Sequence, residues 1–136
     1  MKKILFSLSL LLASNAFANE ISRPVLNDFA DDVPKPVLEV INTYQHDSFG
    51  LLDGTLSMTM KKPAVNEDMA VLFFRGICDT QYVGKTWNPG LIKKVVISNK
   101  SGDQQITLNG GGQECKRLGP MNMDESDKYI KSLIQK

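Results

Sequence analysis

The first eighteen residues most constrain what this chain can fold into. Lys2 and Lys3 precede an apolar run from Ile4 to Ala13, and Ala16-Phe17-Ala18 has the small-x-small pattern that signal peptidase recognises. This pattern reads as an export signal. The run is too short for a spanning helix, and no cysteine stands where a lipid anchor would need one. The mature chain is therefore expected to start at Asn19, to be soluble, and to fold in the periplasm or outside the cell, where thiols oxidise.

Removing eighteen residues from 136 leaves 118, enough for one domain with one modest core. The signal carries two of the basic residues and no acid, so the formal charge of +1 becomes −1 in the mature chain. Near-neutrality argues against a nucleic-acid or anionic-membrane binder, which would carry a clear basic excess.

Cys78 and Cys115 are the only cysteines, and an exported chain with a lone pair normally closes it as a disulfide. The alternatives lack their partners: a redox pair would be spaced C-x-x-C, and a zinc site would need two more ligands in a chain with one histidine.

Periodicity divides the mature chain into helix, strands and helix. Val37, Val40, Ile41 and Tyr44 recur at helical spacing, with Pro36 suited to the first turn and Gly50 to the exit, so Pro36 to Asp47 reads as an amphipathic helix. A shorter helical turn is expected from Val25 to Asp31. Leu56, Met58 and Met60 alternate with polar residues as in a half-buried strand. The apolar run Met69 to Phe74, continuing to Cys78, reads as a central strand, reached by a hairpin link containing Pro63. Asn88-Pro89-Gly90 suggests a type II turn into a strand from Leu91 to Ser98. A second turn at Asn99 to Asp103 is answered by Gln104 to Leu108, and Gly110-Gly111-Gly112 lets the chain bend back. Ile130, Leu133 and Ile134 form the stripe of a C-terminal helix, with Asp124, Glu125 and Asp127 near its start. The expected fold is α+β: a small antiparallel sheet of four to five strands packed with an N-terminal and a C-terminal helix, and one disulfide.

No catalytic set emerges. His46 is the sole imidazole, and His46-Asp47-Ser48 cannot relay a proton among three adjacent residues, because the geometry needs side chains converging from separate segments. A histidine at a helix end is the simpler expectation. Gly84-Lys85-Thr86 resembles the end of a phosphate loop, but Asp79 stands where its first glycine belongs. The acidic pairs Asp31-Asp32, Glu67-Asp68 and Asp124-Glu125 suit solvated turns and helix starts better than glycosidase chemistry. Asp28, Asp31 and Asp32 lack the ligand order of a calcium loop. The sequence implies no cofactor or metal.

The polar connection Asp79 to Gly90 carries Tyr82, Lys85 and the sole tryptophan, Trp87. Exposed aromatics anchor protein interfaces well, so Tyr82 and Trp87 are candidate binding residues with Lys85 at the rim. The competing expectation is that Trp87 folds back to cap the core. The fallback surface lies at Lys93 and the Asn99 to Asp103 turn. The reading is of an exported, non-enzymatic protein whose partner is another envelope or secreted protein: an inhibitor, a toxin-immunity partner, or an export or surface-assembly accessory. A small cell-envelope hydrolase is the alternative.

Overall fold

The structure is a computed structural model that describes residues 32–82 and 86–136. The expected signal segment, the expected turn at Val25 to Asp31, and Lys85 lie outside the described residues. The fold is α+β, with four α-helices and one four-stranded sheet among the described residues.

Helix α1, Lys35–Asn42, buries Val37 and Ile41 and packs Val40 and Tyr44 against the core, so the helical spacing places the expected residues inward. It ends earlier than Asp47. Thr43 Oγ1 donates to the Val40 carbonyl at 2.7 Å, and the chain enters strand β1, His46–Leu52, where the sequence reading had a helix end. The hairpin to β2, Thr55–Met60, turns through Asp53 (φ 50°) and Gly54 (φ 81°). Two successive positive φ values match the twist of paired strands, which is why Asp-Gly serves at such turns. The alternation in β2 is as expected: Leu56, Met58 and Met60 are buried, while Thr55, Ser57 and Thr59 occupy the opposite face.

The largest correction concerns Met69 to Phe74, which is helical. Helix α2 runs Glu67–Asp79, and the Asn66 side chain caps it by accepting from the Met69 amide at 2.9 Å. Glu67 and Asp68 favour its positive end. Its buried residues, Ala70, Val71, Phe73, Phe74, Ile77 and Cys78, follow a helical stripe. An apolar run of six shows no period of its own; only the longer window reveals this one. Because α2 crosses over, β3 (Lys94–Ser98) pairs parallel to β2, so the sheet is mixed rather than wholly antiparallel. Strand β4, Gln105–Leu108, returns antiparallel to β3, giving the order β1-β2-β3-β4.

Pro89–Leu91 forms one 3₁₀ turn, started by the Asn88 side chain accepting from the Gly90 amide at 2.9 Å. Gly90 is not in the left-handed region, so the expected type II turn is not made. The glycine run serves close packing instead. A Cβ on Gly111 would lie 1.9 Å from the Ile92 carbonyl oxygen, and one on Gly112 would lie 2.3 Å from that of Pro89. The Gly112 amide donates to Ile92 at 2.9 Å across this contact, seating helix α3, Gly112–Leu118.

Helix α4, Met123–Ser132, is capped by Asn122 and carries Asp124 and Glu125 in its first turn. Leu133 and Ile134 lie beyond it, on a strap beside β4. The Asn109 amide donates to Leu133 at 2.7 Å, and the Gln135 amide to Thr107 at 2.8 Å. The expected disulfide joins Cys78 in the last turn of α2 to Cys115 in α3, with both residues buried. Helix and strand side chains merge in one core around Phe73, Phe74, Leu56, Met58 and Ile97. Among the described residues, no helix is long and apolar enough to cross a membrane.

Candidate protein-binding face

Helix α2 has two apolar sides of unequal fate. The stripe from Ala70 to Cys78 faces the sheet, while Leu72 points outward and is 61% exposed. Further along the outer side come Arg75, Asp79 and, just past the helix, Tyr82 at 53% exposure. On neighbouring α4, Met123 is 65% exposed. Isolated apolar side chains are ordinary at a surface; here they border connected concavities.

Three depressions adjoin on this side, and Arg75 lines all of them. The largest, about 610 Å³, lies between α1 and α2, with Val40, Tyr44, Leu72 and Gly76 among its apolar lining and Glu39 and Asp79 on its walls. Gly76 lets the two walls approach, because a Cβ there would meet Val40 Cγ1 at 3.1 Å. Burial pushes the Tyr44 phenol above its ordinary range, leaving a neutral hydroxyl. The second, about 320 Å³, lies between Tyr82, Leu118, Met121 and Met123. The third, about 420 Å³, connects Leu72 to Met123 and is edged by the Asp68–Lys131 ion pair.

Arg75 fastens α2 to α4. One guanidinium nitrogen donates to Ser126 Oγ at 2.9 Å and another pairs with Asp127. Glu39 and Asp79 make no ion pair among the described residues. With Arg75 paired to Asp127, the lining of the largest groove presents a carboxylate on each wall without an ion pair among the described residues.

Of the candidate residues in the Asp79 to Gly90 stretch, Tyr82 and Trp87 do not share a surface. Tyr82 is exposed on the edge of the second depression, and its hydroxyl donates to the Cys115 carbonyl. Trp87 is 6% exposed and belongs to the core, as in the competing expectation above. Its indole N–H donates to Thr80 Oγ1 at 2.7 Å, and Gln81 Nε2 donates to its carbonyl at 3.1 Å. Asp79 itself ends α2 rather than opening a loop. Lys85 lies outside the described residues.

His46 starts a strand rather than ending a helix. Its Nδ1 lies 2.9 Å from the Tyr44 carbonyl, and its ring packs edge-on to Phe49 at 5.2 Å. Glu67 and Asp68 occupy the first turn of α2 and pair with Lys136 and Lys131, at 4.0 Å and 3.9 Å. Asp124 and Glu125 start α4. Among the described residues, no group of three or more His, Cys, Asp or Glu side chains converges as a metal site. At the fallback surface, Asn99 Nδ2 and Ser101 Oγ each donate to Asp103 at 2.6 Å and tie the turn together.

Leu72 and Met123 were not singled out by the sequence. Once 70, 71, 73, 74, 77 and 78 are assigned to one helical stripe, Leu72 is the apolar residue left on the other side, so a helical window would have found it. Met123, at a helix start, carries no comparable signal. No family model matches the chain, and comparison with curated proteins and with solved structures finds no match.

Proposed function

We propose that the chain is an exported, non-enzymatic protein that binds another envelope or secreted protein through its helical face, with Leu72, Met123 and Tyr82 as apolar contacts around Arg75. One observation carries this reading: two large apolar side chains, each more than 60% exposed, stand on adjacent helices at the rims of three connected depressions. Water-exposed apolar groups bordering concavities gain most from being covered. An inhibitor, a toxin-immunity partner or an assembly accessory would each use such a face. The export pattern at residues 1 to 18 supports a site of action in the periplasm or outside the cell, with Asn19 as the proposed mature start, and the Cys78–Cys115 bridge suits an oxidising compartment.

Site-specific photo-cross-linking in the native cell envelope tests the reading. A photo-reactive residue replacing Leu72 or Met123 should yield the same discrete adduct with one other protein. The same probe replacing Ser57, on the opposite sheet face, should not. Equal labelling from all three positions, or none from Leu72 and Met123, would overturn it. Mass analysis of the native N-terminus tests export separately, with Asn19 as the expected first residue.

A further inference from the structure

Resting on that reading, we propose that the α1–α2 groove takes one particular class of occupant: an amphipathic α-helix of the partner, presenting an apolar stripe flanked by lysine or arginine. Three features of the groove select it.

The walls are helices. An extended segment laid between two helices finds no sheet edge, so its amide and carbonyl groups would lose water without gaining partners. A helix satisfies its own backbone and offers only side chains to the groove, in the manner of a third helix packing across two. The dimensions suit this, since α1 has eight residues and so presents about 12 Å of wall, roughly two turns of a partner helix.

The lining is apolar at depth. Val40 and Gly76 form the closest approach of the two helices, with Tyr44 and Leu72 beside them. Gly76 lets Val40 close the floor, with its Cγ1 3.1 Å from where a Cβ would stand, so a partner's apolar side chains would rest above it against Val40, Tyr44 and Leu72.

The charges are one-sided. Glu39 on α1 and Asp79 on α2 stand on opposite walls without an ion pair among the described residues. Arg75, the cation in the lining, is already matched by Asp127. A basic flank on either side of an apolar stripe would meet a carboxylate, whereas an acidic flank would meet repulsion.

The test uses the mature protein and two fluorescein-labelled synthetic helices of about four turns. Both carry the same leucine stripe; one has lysine flanks and the other glutamate flanks. In fluorescence anisotropy at low salt the lysine peptide should bind at least about tenfold more tightly, and added salt should narrow the gap. Glu39→Lys with Asp79→Lys should invert the preference, and Leu72→Ser should weaken both peptides while the melting temperature holds. Equal affinity for the two peptides, no response to the charge swap, or no binding of either would overturn the proposal. Failure of the Leu72 cross-link would remove the parent reading, whereas a positive cross-link without basic preference would remove only this one. A concentration-dependent dimer abolished by Leu72→Ser would make a second copy the occupant and also overturn it.

Discussion

The indole Nε1 of Trp87 donates to Thr80 Oγ1 at 2.7 Å, tying the start of the segment after α2 to its end. Thr80 Oγ1 in turn donates to the Ile77 carbonyl at 2.6 Å, so the tryptophan is fixed to the last turn of the helix that carries Cys78. The loop is closed from within, and its largest side chain is spent on the core rather than on display.

Trp87→Ala should therefore cost about 3–5 kcal/mol of stability, the usual range for a large aromatic truncated in a core. Thr80→Val keeps the shape but orphans the buried indole N–H, at about 1–3 kcal/mol. Urea unfolding of the two variants measures both. A Trp87→Ala protein with unchanged stability would show that the ring is not a core element.

The Gly111 contact predicts a steric effect at an unusual place. Gly111→Ala forces a methyl group to within 1.9 Å of the Ile92 carbonyl oxygen, and backbone cannot yield as a side-chain end can. A loss of roughly 3 kcal/mol is expected from such overpacking. Gly102→Ala supplies the contrast: there is open space around it, but φ is +78°, so the cost should be only the left-handed penalty of about 1–2 kcal/mol. Thermal unfolding of the pair ranks them.

Asp103 gives a pH dependence with a definite sign. Hydrogen bonds from Ser101 Oγ and then Asn99 Nδ2 hold its carboxyl below the ordinary range. Because the folded value is depressed, the stabilisation is present above the unfolded-state value, about 3.9, and is lost as the pH falls through the lower folded value. Asp103→Asn should flatten this part of the acid limb, in stability measured from neutral pH downward. An unchanged acid limb would assign the effect elsewhere.

The bridge predicts a reductant effect. Cys78 and Cys115 are 37 positions apart, so opening the loop should remove up to about 4 kcal/mol through the entropy of the unfolded chain. Unfolding with and without reductant measures it. Unreduced protein should be lighter by two hydrogens and resist alkylation; two modifiable thiols would contradict the bridge.

How much was legible depended on whether a segment's own pattern had one solution. Two cysteines leave one pairing within the chain, and it is the pairing observed. The spacing of Val37, Val40, Ile41 and Tyr44, and the alternation of Leu56, Met58 and Met60, each fit a single period, so their inward faces followed without tertiary information. Asp53-Gly54 is an equally local signal and marks the β1–β2 hairpin, while the helical spacing before it carries the helix reading on through His46 and Asp47. Met69 to Phe74 was different. Six apolar residues can be buried as strand or as helix, and the Asn66 cap with the wider stripe to Cys78 decides for helix, turning an antiparallel sheet into a mixed one.

The candidate site was beyond local pattern for a related reason. Trp87 and Leu72 are both apolar, yet the tryptophan in a polar stretch is inside and the leucine in an apolar run is outside. Sequence assigns each residue its chemistry and, where a period holds, its side of an element. Which sides meet is set by packing between elements distant in the chain: Thr80 receiving the Trp87 indole, Gly76 admitting Val40, and Ile92 meeting the glycines at 111 and 112. Those contacts decide which apolar surface is already covered, and so which is left exposed.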